Sequence, residues 1–426
     1  MPAWSELSGE DLRAQQTELQ KMYESYRQRG LQLNMARGVP GLDQLDLSDG
    51  LLTAVTRGEE CKIGGVETRT YGTPGGLPEA RTLMADIMDT PPETVIVGGN
   101  SSLSLMFDTV ARAMTHGMGG GARPWMGQGS VKFICPSPGY DRHFAICEHF
   151  GVEMIPVDMR PDGPDMDAVR SLVADPAVKG MWCIPRFSNP QGYVYSDKTV
   201  RAIAALTPAA SDFRVFWDNA YAVHALYEDA PALAGIWGAC ARAGHPELVI
   251  QFASTSKVTF PGAGISALAA GPQTLAHIKQ AIFFQTIGFD KLNQLRHVRY
   301  FGDIGGVRAH MRLHADLLRP KFETVDRVLS EGLSGIATWY APRGGYFISL
   351  DLAPGTARRT VALMGEAGVI MTGAGATWPY RRDPQDANLR IAPTYPPVGE
   401  LRVSMELLCL CAKLAYLEKR LEAMDS

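Results

Sequence analysis

The sequence has no apolar run approaching the roughly 18 residues that a membrane helix needs. Nothing near Met1 has the basic, apolar, small-residue order of a secretory leader either. A membrane or exported protein is therefore not expected, and the chain is read as cytoplasmic. Blocks of like charge are also missing: 41 Lys and Arg stand against 45 Asp and Glu, a formal net charge of −4. That balance lacks the electrostatic footprint of a nucleic-acid or acidic-lipid binder, so the expected partner is a small molecule. The seven cysteines (Cys61, Cys135, Cys147, Cys183, Cys240, Cys409 and Cys411) are odd in number and scattered, without a CxxC pair, and no histidines cluster at metal spacing. A reduced chain without structural metal follows, and no internal repeat is found.

What is present is enough for a large core. At 426 residues with 46% hydrophobic content, the chain has the material for two or three domains, or for one large domain with an appendage. Short buried-strand candidates recur at 95–97 (VIV), 131–135 (VKFIC), 153–157 (EMIPV), 180–184 (GMWCI), 214–218 (RVFWD) and 248–252 (LVIQF). Helical stretches such as LSLMFDTVARAM, YDRHFAICEHF and DAVRSLV lie between them. This alternation predicts the α/β class, with a mainly parallel sheet covered by helices in a large domain over 46–315. The two ends, 1–45 and 316–426, read as a smaller α+β domain. A helix over 8–29 is expected from the caps Ser8 and Asp11 and from Leu12, Leu19, Met22, Tyr23 and Tyr26 at helical spacing. Helices over 308–333 and 399–422 flank a strand pair around WYAPRGGYFISL, a short helix and GVIMTG. The glycine-rich stretch 117–130, GMGGGARPWMGQGS, precedes a strand where phosphate loops follow one, and predicts a flexible surface loop.

Reactive residue types gather just after the predicted strands, where open α/β sheets place ligands. GGNSS at 98–102 leads into a helix, and the free N–H groups there, with Asn100, Ser101 and Ser102, suit a phosphate or a plain N-cap. PSPGYDRH sets Tyr140 beside a tight turn, PRFSNPQG carries Asn189, and NAYAVH follows Asp218 and contains Tyr221. An acid ending a buried strand is costly unless it meets a positive partner or caps a helix. The stretch ASTSKVTFPGAG sets Lys257 among Ser254, Ser256 and glycines directly after LVIQF.

SNPQG, FWDNAY, STSK and NLRIAP, in this order and spacing, resemble the fold-type I pyridoxal-phosphate enzymes of the class I/II aminotransferase family. The resemblance runs from LNMARGVP at 33 through YGTPGGLPEAR at 71 to the C-terminal helix. PSPGYDRHF, STSKVTFPGAGIS and QTIGFDKLNQLRHVRYF are similar to the bacterial subgroup of aspartate aminotransferases called class Ic.

The resemblance implies pyridoxal 5'-phosphate as cofactor and Lys257 as the Schiff-base lysine that also moves the substrate proton. Neutrality near pH 7 would require its pKa to fall about three units, which desolvation favours. By the same match, Asp218 pairs with the pyridine nitrogen, Asn189 and Tyr221 with the phenolic oxygen, and Tyr140 stacks on the ring. Ser101, Ser102, Ser254 and Ser256 hold the phosphate, with Tyr71 reaching it from a second subunit of a homodimer. Arg390 in NLRIAP and Gly38 in ARGVP meet the substrate α-carboxylate. The distal carboxylate of aspartate or glutamate would need another cation, and Arg37, Arg69, Arg142, Arg186 and Arg296 are the candidates. One position departs from the pattern. Ile265 occupies the place of the family's phosphate-clamping arginine, and no lysine or arginine lies between Lys257 and Lys279. The expected reaction exchanges an amino group between an L-amino acid and a 2-oxo acid. Aromatic or aminoadipate-like transamination and carbon–sulfur lysis on the same fold are the alternatives. A fused regulator is disfavoured, since about 30 residues precede LNMARG, fewer than a helix-turn-helix domain needs.

Overall fold

The computed structural model describes residues 8–425; residues 1–7 and 426, the outermost ends of the expected smaller domain, lie outside the described residues. The central sheet uses eight strands: β1 (Val95–Val97), β2 (Lys132–Ser137), β3 (Glu153–Arg160), β4 (Gly163–Pro164), β5 (Val178–Cys183), β6 (Arg214–Asp218), β7 (Val249–Ser254) and β8 (Ser266–Ala269). Their order across the sheet is β1-β8-β7-β6-β5-β2-β3-β4. The run β7-β6-β5-β2-β3 is parallel throughout, whereas β8 lies antiparallel between β1 and β7. Every residue of β5, β6 and β8 is buried. Burial on both faces explains why VFW, at the centre of β6, reads as an unbroken apolar run rather than as an alternation.

Seven helices frame the site: α1 (Gly9–Arg27), α2 (Leu42–Asp46), α3 (Ser102–His116), α4 (Asp141–His149), α5 (Lys291–Phe301), α6 (Ile304–Leu333) and α7 (Val398–Asp425). Ser8 caps α1 in a reciprocal capping box with Asp11, as the sequence suggests. The cap at the chain ends packs α1 and α6 against α7 and adds a small antiparallel sheet of β9 (Thr338–Trp339), β10 (Ile348–Asp351) and β11 (Asn388–Ile391). Its core, with Tyr23, Leu318, Val325, Leu350, Leu389 and Leu408, continues into Phe187 and Tyr221 of the sheet region. The boundary expected at residue 315 falls inside α6, a single 30-residue helix.

The glycine-rich stretch lies largely at the surface, as expected, and is anchored at one point. Its middle inserts Trp125 fully into the core, where the indole N–H donates to Asp212 Oδ2 at 3.1 Å. Gln128 donates to the same oxygen at 2.9 Å, and Lys179 pairs with Asp212 Oδ1 at 2.7 Å. A buried aromatic with its polar tip satisfied is a strong anchor, so the glycines form turns around a fixed point.

Candidate active site

The site lies past the C-terminal ends of β2, β5, β6 and β7, against β11 of the cap. β6 delivers Asp218, only 2% exposed, into this space. Its Oδ2 stands 3.1 Å from His143 Nε2, while Oδ1 is buried without a hydrogen-bond partner. The imidazole of His143 stacks on Trp182, 4.3 Å between centroids, and meets Tyr140 edge-on at 5.0 Å. His143 and Tyr140 lie three residues apart around the start of α4, so both face the sheet end.

β7 leads into a single helical turn over 255–259 that carries Lys257. The Lys257 ammonium position is 5.3 Å from the centre of the Tyr221 ring and 5.8 Å from that of Tyr346. Desolvation pulls the Lys257 pKa below its ordinary value, Asp218 opposes the shift and Arg390 adds to it. Burial, with Tyr140 and Asp218 nearby, holds the Tyr221 phenol well above its ordinary pKa, and the Tyr140 phenol is raised to about 12 mainly by burial.

Arg390, on β11, crosses from the cap side. One guanidinium nitrogen donates to Asp141 Oδ1 at 2.8 Å and lies 3.5 Å from Asn189 Oδ1, another is 3.4 Å from Thr372 Oγ1, and Nε is buried without a partner. Phe347 lies under the guanidinium at 4.9 Å, and a Cβ on Gly38 would come within 2.1 Å of that ring. Only glycine permits so close a backbone approach. Two residues before Asn189, Phe187 has φ of 49°, a left-handed conformation that costs a bulky residue about 1–3 kcal/mol. Gly344 and Gly345 of the cap leave no room for a side chain against Phe187 and hold it in place.

At the other end, Ser101 caps α3 by accepting from Leu103 N at 3.2 Å, and Ser102 opens the helix. Ser256 Oγ donates to the Asn100 carbonyl at 2.8 Å, which brings the GGNSS loop and the lysine turn together. Ser254 pairs in register with Ser266, whose hydroxyl is buried and unpartnered. Ile265 is buried among Ala253, Val258 and Ala267, so an apolar side chain fills that position.

Tyr71 does not join this cluster within the chain: it is 86% exposed. Its loop is braced by Lys291, which donates to the carbonyls of Thr70 and Gly72. Of the candidate distal arginines, Arg69 is held by Glu67 and Arg186 donates to the carbonyls of Ala222 and Pro231. Sequence reasoning missed His143, Asp141, Thr372 and Tyr346. His143 and Asp141 lie inside the quoted PSPGYDRHF, and His143 shares a helix face with Tyr140 at i+3, but that spacing names neither distant partner.

The sequence matches the aspartate amino-transferase family over residues 7–424. The chain belongs to that family. It is an aminotransferase of the fold-type I class, whose members use pyridoxal phosphate. An aspartate aminotransferase of Corynebacterium glutamicum is 45% identical over 403 residues, covering 94% of this chain and 93% of that protein. The crystal structure of an aspartate transaminase from Corynebacterium glutamicum matches with a TM-score of 0.95 and 43% identity, over 98% of this chain and 99% of the other. An α-aminoadipate aminotransferase from Thermus thermophilus, complexed with N-(5'-phosphopyridoxyl)-L-leucine, shares the fold at a TM-score of 0.72 and 19% identity, over 94% and 95% of the two chains. Among the described residues, no helix is long and apolar enough to cross a membrane, and no group of His, Cys, Asp and Glu is arranged to hold a metal ion.

Proposed function

We propose that this aminotransferase acts on aspartate and glutamate, with 2-oxo acids as acceptors, through pyridoxal phosphate held by the residues named above. The observation that carries the cofactor assignment is the unpartnered Asp218 Oδ1. A buried carboxylate oxygen with no donor is expensive, and a protonated pyridine nitrogen would supply both hydrogen and charge. The buried unpartnered Ser266 hydroxyl and the free N–H groups at the start of α3 suit a phosphate in the same way.

When bound, the cofactor supplies an electron sink for the α-carbon and carries the amino group between the two half-reactions. The chain's own residues do the rest. Lys257 forms the covalent link and takes the α-proton, and desolvation of its amine favours the neutral form that both tasks need. Asp218 keeps the pyridine nitrogen protonated, with His143 holding its second oxygen. Asn189 and Tyr221 donate to the phenolic oxygen, and Tyr140 covers the ring face. Arg390 binds the α-carboxylate beside Gly38, its free Nε offering a second donor for a bidentate contact. Asn100, Ser101, Ser102, Ser254 and Ser256 surround the phosphate, with Tyr71 reaching that of a partner subunit in a homodimer. Exposed Phe283 and Phe284, on the helix Pro272–Thr286 whose following loop contacts Gly72, support such an interface. With Arg69 and Arg186 engaged elsewhere, Arg37, Arg142 and Arg296 remain for the distal carboxylate.

The deciding experiment follows the visible absorbance of the loaded enzyme on adding single amino acids. Aspartate and glutamate should discharge the band fastest, and 2-oxoglutarate or oxaloacetate should restore it. Faster conversion by an aromatic donor or by aminoadipate would overturn the dicarboxylate reading, and release of sulfide or ammonia would overturn transamination.

A further inference from the structure

Beneath the Lys257 turn lies a buried polar chain to which none of the roles above assigns a task. The turn is closed by Val258 N and Thr259 N, each donating to the Thr255 carbonyl at 2.8 Å. Like any helical end, it leaves carbonyls outside its own bonding pattern, and these are met by side chains. The Lys257 carbonyl has Tyr346 Oη and His224 Nε2 each at 3.4 Å, and the Val258 carbonyl has His310 Nε2 at 2.9 Å. Behind them, Gln44 Nε2 stands 2.9 Å from Tyr346 Oη and 2.9 Å from His314 Nδ1, and His314 Nε2 stands 3.0 Å from His310 Nε2. Gln44, His310, His314 and Tyr346 are all buried.

The direction of this chain can be worked out from its donors. Gly41 N donates to Gln44 Oε1 at 3.2 Å, which fixes the amide and turns both of its hydrogens toward Tyr346 and His314. His314 Nδ1 therefore accepts, and the ring's one hydrogen sits on Nε2, facing His310 Nε2 and the Val258 carbonyl. Tyr346, accepting from Gln44, turns its own hydrogen to the Lys257 carbonyl. His310 Nε2, which faces that hydrogen and lies 3.2 Å from the Ser48 hydroxyl, therefore carries no proton of its own, and it is the His314 Nε2 hydrogen, not His310, that serves the Val258 carbonyl. The titratable and charged groups facing the pair are Asp43 of α2, Tyr300 of α5, and His224 and Lys257 on the sheet side.

The other end of the chain is the segment that carries Gly38. α2 is tied to the residues after β11: Lys321 pairs with Asp43 at 3.3 Å and donates to the Thr394 carbonyl at 2.8 Å, and Thr394 Oγ1 donates to the Val39 carbonyl at 3.1 Å. We propose that Gln44, His314, His310 and Tyr346 are positioning residues, a directed hydrogen-bond chain that seats the Lys257 turn and couples it to the Gly38 segment. The proposal rests on the assignment of Lys257 as the reactive lysine.

The test uses the full-length enzyme loaded with pyridoxal phosphate, comparing the parent with Tyr346→Phe, His314→Leu and His314→Gln. Besides kcat and KM, it measures the pH midpoint of the visible band without substrate, and maps the cofactor by borohydride reduction and peptide analysis. Tyr346→Phe and His314→Leu should move the midpoint by about half a pH unit or more and lower kcat about tenfold, with KM changed less than about threefold. His314→Gln keeps an N–H toward His310 and should recover most of both. Parent midpoints and parent kcat with the cofactor on Lys257, even at a lower melting temperature, would reduce the chain to packing and overturn the proposal. If His314→Leu does not fold, Tyr346→Phe decides alone, since it removes a single hydroxyl. Cofactor found on another lysine would overturn the Lys257 assignment and this proposal together.

Discussion

Asp218 accepts from a histidine on one oxygen and has nothing on the other, an arrangement that is costly without a cation in front of it. Asp218→Asn keeps the shape and removes the charge. It should retain part of the cofactor affinity and lower kcat about a hundredfold or more, with a smaller change in KM, because the charge acts chiefly in the transition state. Steady-state kinetics beside a cofactor titration would show this, and parent activity in the variant would leave Asp218 a structural residue. Lys257→Ala should abolish turnover while leaving the melting temperature within a few degrees, as measured by calorimetry, since it removes no core packing. The expectation for these two residues has a local cause: each ends or follows a strand whose apolar run announces it. His143 and Asp141 act on partners 75 and 249 residues away, and no local pattern in PSPGYDRHF points to Asp218 or Arg390.

At the scale of elements, the strands buried on both faces were the most readable, since continuous apolar runs bounded by turns have few other uses. β8 escaped notice. Its four residues, SALA, are small and lack the β-branched character of a strand, yet it fills the slot between β1 and β7. The same element bears on the proposed phosphate end. Ile265 directly precedes β8 and belongs to its apolar packing, so a cation there would have to be buried in a hydrophobic layer. On the proposed assignment, phosphate affinity would then fall to neutral donors. Hydrogen bonds to a charged acceptor contribute roughly 1.5–3 kcal/mol each, so Ser102→Ala or Ser254→Ala should weaken pyridoxal phosphate about tenfold or more. Titration after dialysis would measure it, and undiminished affinity in both variants would point to a distant cation. The glycine-rich stretch shows the opposite case: six of its fourteen residues are glycine, and one tryptophan anchors the surface loop they form.

For the molecule as a whole, three buried histidines give stability a predictable pH dependence. Burial is the leading cause in each case, lowering His224 to about 3 and His297 and His314 to about 4. The unfolded chain takes up these protons near the ordinary value of about 6.5, so between that pH and 4 it binds more protons than the folded one. The histidine contribution is therefore fully present above about pH 6.5 and is lost as the pH falls toward 4, by on the order of several kcal/mol in sum. Urea midpoints measured from pH 7 to pH 4 should fall steadily, and His314→Gln should flatten the curve. A parent curve that stays level would mean that these rings are not neutral in the fold.

The expected division of labour between sheet and cap rests on the long helical periods that the chain ends carry and the middle does not. The place of the join is not marked where it was expected, since Pro320, the one proline in IGGVRAHMRLHADLLRPKFETVDRVLSEGL, lies inside the continuous helix. At 1.5 Å per residue, α6 is a rod about 45 Å long, with His310 and His314 under the lysine turn and Val325 and Leu329 in the cap core. Such a shared spine makes the protein indivisible in practice. Expressed separately, the halves on either side of residue 315 would each end in a severed amphipathic stub with its apolar side bare, and should collect in inclusion bodies. Mixed during refolding, they should recover activity only if the break in the helix is rejoined by its packing alone.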